Sequence, residues 1–341
     1  MTIKIGLLGL GTVGGGVIDI LRAQHPAWPV QVTRAAVRHI TPARQAQYSN
    51  IPLTTDAASV VADSTIDVII EVMGGVDPTL PLLETALHTG KHVISANKDL
   101  IAQHGEELAQ LALAQHVGFY YEAAVMGAIP ILHTLAHTYP SDQIQRIVGI
   151  ANGTSNFILT QTSFFGSRYT SALREAQAKG FAEADPTNDV SGLDAAYKLA
   201  ILTRLAFGVT PTIAQIPRQG IDQKLPDAIV KPLIIAERRG PRQLMLAVGP
   251  YVIKPSNPLS GVNGANNAVL ISSTNMQDMM LMGPGAGARP TASAVLADLA
   301  DLVTQIRQGT VPDPYHERTR SAADWQIIAP EPVSTGIPVL A

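Results

Sequence analysis

The chain has 341 residues, 46% hydrophobic and 15% charged, which supplies a large core and excludes a disordered chain. A net charge of −3 leaves no basic excess for a nucleic-acid surface, and the absence of cysteine excludes disulfides, thiolate metal sites and cysteine nucleophiles. The opening MTIKIGLLGLG lacks the ordered parts of a signal peptide, and no apolar run reaches the roughly 18 residues of a membrane helix, so a soluble cytoplasmic protein is expected. Length points to two domains, with a single large α/β barrel as the alternative.

IKIGLL (3–8), apolar and bounded by glycine, reads as a buried strand. Val13, Val17, Ile20 and Leu21 follow at helical spacing, which starts a helix near Thr12. QVTRAAV (31–37) and DVIIEV (67–72) read as strands, PTLPLLETALHTG (78–90) as a helix closed by Gly90, and KHVISA (91–96) as a strand. KDLIAQHGEELAQLALAQH (98–116) is expected to be a helix and GFYYEA (118–123) a strand. Such alternation makes βαβ units and a parallel, doubly wound sheet of the α/β class. The rhythm then stops. VGIANGTSNFILT and QLMLAVGPYVI look strand-bearing, which suggests a mixed α+β second domain. GLDAAYKLAILTRLAFG reads as a helix, and so does ASAVLADLADLVTQIRQG (292–309), with Val295, Leu299, Leu302, Val303 and Ile306 on one face. Five prolines, Pro312, Pro314, Pro330, Pro332 and Pro338, mark an irregular tail.

Gly9, Gly11 and Gly14 form G-x-G-x-x-G between a strand and a helix, the context a dinucleotide loop requires. Gly9 permits the tight turn, Gly11 lets the backbone approach a pyrophosphate, and Gly14 lets helix and strand pack closely. Leu10, Thr12 and Val13 complete the loop, and the helix N-terminus offers amides to the phosphates. NAD sites usually place an acid about 20 residues further on, for the ribose 2′-hydroxyl. No Asp or Glu lies between Asp19 and Asp56, while Arg38 and His39 end the second strand with Arg44 nearby, which favours NADP over NAD. Asn97 and Lys98 of SANKDL fall at the C-terminal edge of a strand, where open α/β sheets bind ligands. The small residues of YEAAVMGAIP (121–130) suit either carbonyls converging on Na⁺ or K⁺ or a plain strand–helix turn. Gly287, in GPGAGARPTA, belongs to a second phosphate-side contact or to a simple loop. His133 and His137 are four apart but lack a third ligand, so they read as helix histidines.

FAEADPTNDVSGLDAAYKLA (181–200) gathers Glu183, Asp185, Asp189 and Asp194 near Lys198. Its oxygens fail the alternate spacing of an EF-hand loop, so a calcium site is not expected. Asp194 and Lys198 share a helix face, and the helix around them is apolar almost all round. Spacing alone leaves a salt bridge and a proton-transfer pair both open.

Together, GLLGLGTVGGGV, SANKDL, YEAAVMGAIPIL, GIANGTSNFILT, GFAEADPTNDVSGLDAAYKLAIL, NPLSGVNGANNAV and GPGAGARPTASAVLADL resemble the motifs of the homoserine dehydrogenase family, in that family's order. The resemblance implies a Rossmann-type nucleotide-binding domain (1–130), an α+β substrate-binding and dimerisation domain (131–288), a helix (289–310) packing back on the first domain, and a tail (311–341). It implies NAD(P)-dependent interconversion of L-homoserine and L-aspartate 4-semialdehyde, toward threonine, methionine and isoleucine, by a homodimer or homotetramer. Lys198 would be the general acid/base, Asp194 would position it and the substrate, and Lys98 would contact substrate and nicotinamide. Glu183 and Asp189 would hold homoserine alongside Gly153 and Thr154. Glu122, Val125, Gly127 and Ile129 match the family's monovalent-cation site, chiefly through carbonyls. His39 and Asn188 stand where acids are common in the family, and the chain stops where many members continue into an ACT-type regulatory domain. Threonine inhibition through that domain is therefore expected to be absent. A non-catalytic nucleotide sensor and a dehydrogenase of another amino acid are the alternatives. Aspartate-semialdehyde dehydrogenase is disfavoured because its thioester chemistry needs a cysteine.

Overall fold

The structure is a computed structural model that describes residues 2–24, 27–222, 226–315, 325–330 and 337–340. The chain divides into two compact units, Met1–His133 with Gly287–Glu317, and Thr134–Ala286 with Arg318–Ala341.

In the first unit, β1 (Ile3–Leu8), α1 (Thr12–Gln24), β2 (Val30–Ala36), α2 (Pro42–Gln47), β3 (Leu53–Thr54) and α3 (Ala57–Val61) come first. They are followed by β4 (Val68–Glu71), α4 (Thr79–His88), β5 (His92–Ser95), α5 (Lys98–Ala114) and β6 (Phe119–Tyr120). The strands form one parallel sheet in the order β3-β2-β1-β4-β5-β6. The order reverses between β1 and β4, and the crevice outside the carboxyl ends of the strands at such a point is where doubly wound sheets take ligands. The α/β expectation therefore holds. GFYYEA keeps only two residues in the strand, because the chain turns into a 3-10 helix at Glu122–Ala124. Helix α6 (Ile131–Thr138) spans the boundary of the two units.

The second unit contains β7 (Ile144–Ile150), α7 (Gly153–Phe165), α8 (Tyr169–Ala178), α9 (Thr187–Val190) and α10 (Leu193–Phe207). Strands β8 (Val230–Gly240), β9 (Gln243–Val252), β10 (Asn266–Ser273) and β11 (Gln277–Pro284) complete most of its sheet. Helix α11 (Ala288–Gln308) returns the chain to the first unit, and β12 (Gln326–Ile328) rejoins the second. The sheet runs β11-β10-β7-β8-β9-β12, antiparallel except for β12 on β9. QLMLAVGPYV is a strand as expected; in VGIANGTSNFILT the strand covers VGI, Ala151 and Asn152 form the corner, and GTSNFILT lies in α7, started by the Asn152 side chain, which accepts from the Ser155 amide.

One core of the first unit joins β1, α1 and α11 through Ile5, Leu7, Val17, Ile18, Val295 and Leu299. The two helices meet where a Cβ on Gly16 would lie 2.8 Å from the Ala288 carbonyl oxygen. In the second unit, Val148, Ile150, Leu233 and Ile235 pack one cluster, and Phe157 and Ile158 of α7 pack another with Ala172 and Ala176 of α8.

Candidate active site

The glycine loop closes on itself. Gly9 turns at φ +102, a left-handed conformation that side chains resist, and a Cβ there would sit 2.8 Å from the Val72 carbonyl oxygen. A Cβ on Gly14 would lie 2.2 Å from the Gly9 carbonyl oxygen, whereas one on Gly11 meets nothing within 4 Å. The loop is thus tight at both ends and open in the middle, the shape that lets a phosphate reach backbone amides. Leu10 and Val13 pack in or against the core, so they can offer only backbone, and Thr12 is exposed at the first turn of α1. Arg38 and His39 are exposed past the end of β2, and the Arg44 guanidinium donates to the His39 carbonyl oxygen at 2.5 Å.

Asn97 caps α5 through its Oδ1, which accepts from the Leu100 amide, while its Nδ2 donates to the Gly75 carbonyl at 2.6 Å. Behind it lies Glu71, the last residue of β4 and fully buried. The Ser95 hydroxyl donates to Glu71 Oε2 at 2.6 Å, and the Met73 and Gly74 amides donate to Oε1. Burial raises the Glu71 carboxyl pKa above the ordinary value, against the pull of these donors. Lys98, partly buried, follows the Asn97 cap with its Nζ 3.8 Å from Asp99. Sequence reasoning passed over Glu71, although an acid inside the apolar run DVIIEV is itself a signal.

The Glu122 carboxylate caps α6, accepting from the Leu132 and His133 amides at 2.9 and 2.7 Å. Its own amide donates to Asp298 Oδ2 on α11, and the Tyr315 hydroxyl donates to Asp298 Oδ1. Burial pushes the Glu122 carboxyl up to about 7 and holds that of Asp298 well above the carboxylate range. Val125 and Ile129 are buried, and Met126 and Gly127 adopt successive left-handed conformations, φ +57 and +58. Among the described residues the Glu122 and Asp298 carboxylates hydrogen-bond amides and a tyrosine hydroxyl, and the Met126 and Ile129 carbonyls of the loop accept from the Ile129 and Ile131 amides. Among the described residues no three His, Cys, Asp or Glu side chains form a cluster that could hold a metal ion.

In the second unit, Lys198 is 8% exposed and Asp194 is 7% exposed. Lys198 Nζ donates to Asp194 Oδ2 and to the Ala151 carbonyl oxygen, both at 2.7 Å. Two of its three ammonium hydrogens are thereby committed. Asp194 lies in the first turn of α10, where the helix dipole favours a carboxylate. Asn152 Nδ2 donates to Asp194 Oδ2 and to Asp189 Oδ1, each at 2.8 Å, and Asn267 Nδ2 donates to the same Ala151 oxygen as Lys198. Burial raises the Asp189 pKa above the ordinary value, and the Asn152 bond opposes that rise. The surface salt bridge is therefore excluded: Asp194–Lys198 is a buried, hydrogen-bonded pair.

Gly153 and Thr154 lie beside this network at the start of α7. A Cβ on Gly153 would fall 2.5 Å from the Ala265 carbonyl oxygen, and the Thr154 hydroxyl donates to the Phe181 carbonyl at 2.6 Å. Glu183 stays outside: it is exposed, and its carbonyl accepts from Gln177 Nε2. Gly287 caps α11 in the first unit. Asn152 and Asn267 were missed by sequence reasoning. An Asn-Gly-Thr run after an apolar strand is an N-cap signature that pointed to Asn152, whereas no local signal marks Asn267.

A family model described as homoserine dehydrogenase matches residues 130–300, and one described as homoserine dehydrogenase, NAD binding domain, matches residues 9–122. The chain belongs to the homoserine dehydrogenase family. The homoserine dehydrogenase of Bacillus subtilis (strain 168) is 40% identical over 342 residues, covering 94% of this chain and 79% of the relative. The crystal structure of a homoserine dehydrogenase from Thiobacillus denitrificans superposes with a TM-score of 0.88 at 38% identity, covering 96% of this chain and 80% of that one. A hyperthermophilic archaeal homoserine dehydrogenase in complex with NADPH superposes with a TM-score of 0.79 at 28% identity, covering 89% and 98%. Family membership makes the chain an oxidoreductase acting on a small molecule through a nicotinamide dinucleotide. Among the described residues no helix is long and apolar enough to cross a membrane.

Proposed function

We propose that this homoserine dehydrogenase interconverts L-homoserine and L-aspartate 4-semialdehyde, prefers NADP, and serves threonine, methionine and isoleucine formation in the cytoplasm. The observation that carries the reading is the buried Lys198, held by Asp194 and the Ala151 carbonyl with one nitrogen valence left for a substrate oxygen. When bound, the dinucleotide supplies the hydride acceptor or donor at the substrate C4 carbon. In the oxidative direction Lys198 takes the C4 hydroxyl proton as the hydride leaves, and in the reductive direction it returns the proton to the carbonyl oxygen. Asp194 holds the lysine in place through the Nζ–Oδ2 hydrogen bond. Asp189, with Glu183, holds the homoserine ammonium beside Gly153 and Thr154. Lys98 contacts substrate and nicotinamide from the sheet's carboxyl edge.

The loop formed by Gly9, Leu10, Gly11, Thr12, Val13 and Gly14 takes the pyrophosphate, with Asn97 and Gly287 as further contacts. The cations Arg38 and Arg44, without an acid between Asp19 and Asp56, support a 2′-phosphate. Glu122, Val125, Gly127 and Ile129 hold Na⁺ or K⁺. The working form is a homodimer or homotetramer, to be checked by light scattering. Homoserine-dependent reduction of NADP and NAD, with and without Na⁺ or K⁺, tests the whole reading. Dinucleotide binding without homoserine turnover would leave a nucleotide sensor, and a strong preference for NAD would remove the NADP assignment.

A further inference from the structure

One side chain joins the two carboxylates of the second unit. Asn152 follows β7 and opens α7, and it is 5% exposed. Its amide is fully oriented by its neighbours: Oδ1 accepts from the Ser155 amide at 2.8 Å, and the two Nδ2 hydrogens go to Asp189 Oδ1 and Asp194 Oδ2. A flipped amide would set its oxygen against two carboxylates, so the orientation is determined by charge. The residue before it, Ala151, supplies the carbonyl that accepts from Lys198. A single two-residue corner therefore touches the lysine, its partner acid and the neighbouring acid.

We infer that Asn152 is a positioning residue whose amide clamps Asp189 on α9 and Asp194 on α10 together, and so couples the substrate-holding acid to the lysine that moves the proton. The inference rests on the proposed homoserine reaction. Asp194 and Lys198 are the charged groups that act on Asp189. The charge of Asp194 favours protonation of Asp189, and the Asn152 donor opposes it. Without that donor the charge of Asp194 acts on Asp189 unopposed by the Asn152 amide. Asp189 then takes up a proton at higher pH, and Asp194 loses one of the bonds that aim Oδ2 at Lys198.

The test separates this role from helix capping. Serine and aspartate are both good N-caps, so Asn152→Ser and Asn152→Asp keep the α7 cap while removing the double donor. The measurements are kcat and kcat/KM for homoserine across pH 5.5–9.5, with the melting temperature and NADP affinity as controls. For Asn152→Ser the expected result is kcat/KM lower by roughly 10- to 100-fold, with its acid limb displaced to higher pH. Asn152→Asp, which sets a third carboxylate against two, loses more. It also stands in if the serine variant unfolds. Wild-type kcat and an unmoved acid limb in both folded variants would overturn the inference and leave Asn152 as a cap. A second readout does not depend on the substrate. The ¹³C carboxyl titration of Asp189, assigned with Asp189→Asn, moves to higher pH in Asn152→Ser, and an unmoved midpoint overturns the clamp. Wild-type protein that binds NADP but does not oxidise homoserine defeats the proposed function instead.

Discussion

Substituting Gly11 and Gly14 separates what the glycine loop does for the fold from what it does for the ligand. A methyl at Gly11 enters open space, and Gly11 lies outside the positive-φ region. Removing a glycine's freedom from the unfolded chain at such a position stabilises by about 0.4–1 kcal/mol. In a protein of this size that corresponds to a rise of roughly 0.5–1.5 °C in melting temperature. The same methyl stands where a pyrophosphate must approach the loop amides, and losing one charge-assisted hydrogen bond costs about 1.5–3 kcal/mol, or roughly 10- to 150-fold in affinity. Gly14→Ala is the reverse case. Its Cβ at 2.2 Å from the Gly9 carbonyl oxygen forces the turn apart by roughly 1 Å to restore contact distance, a distortion of about 1–3 kcal/mol. Scanning calorimetry and NADPH fluorescence titration on the two variants decide the matter. The expected pattern is a stable Gly11→Ala that binds weakly and a Gly14→Ala with a melting temperature lower by several degrees. A Gly11→Ala variant that binds NADPH within twofold of wild type would refute the loop as the pyrophosphate seat.

Lys198→Ala strips the buried Asp194 of its cation and should lower the melting temperature, while the folded variant keeps its NADPH affinity and its kcat for homoserine falls by about 10²–10⁴; near-normal turnover removes the lysine from proton transfer. Gly153→Ala pushes a methyl to 2.5 Å from the Ala265 carbonyl oxygen and should lower stability by about 1–3 kcal/mol, read as an earlier thermal transition. Lys231 offers a pH test. Its Nζ donates to the Val262 carbonyl and Asn263 Oδ1, and burial pushes its pKa down from 10.5 to about 8. Between those values the unfolded chain holds a proton that the native state has released, so this group's contribution to stability rises as pH climbs through the window. Urea unfolding of wild type and Lys231→Met from pH 7 to 10 should show wild type gaining on the variant, and a constant difference would sink the assignment.

The parallel unit was readable because its longer strands are apolar runs and α1, α4 and α5 carry apolar residues at helical spacing, whereas α2, PARQAQ, buries nothing and left no such signal. Leu53–Thr54 was not readable either, since a two-residue strand has no period. VGIANGTSNFILT does bear a strand, but the strand ends at Ile150, where the Asn152 side chain accepts the Ser155 amide and opens a helix through residues whose β-branched and aromatic side chains favour a strand. In the candidate site, the spacing of Asp194 and Lys198 and the apolar surround of their helix were visible, but their partners were not: Ala151 lies 47 positions from Lys198 and Asn152 lies 42 from Asp194. Asn267 illustrates the limit: its bond to Ala151 spans 116 positions, and nothing adjacent to it in the chain announces that contact.

The return of α11 to the first unit has a consequence for how the protein is made. Val17 and Ile18 find their partners in Val295 and Leu299, so the dinucleotide unit's core waits on the synthesis of the intervening Thr134–Ala286. At ordinary translation rates that delay is roughly 10–30 s, during which the part of α1 that meets α11 has no native cover. Variants that weaken the α1–α11 contact, Gly16→Val first among them, should show their damage as poor soluble yield from nascent chains rather than as slow turnover in the protein that survives.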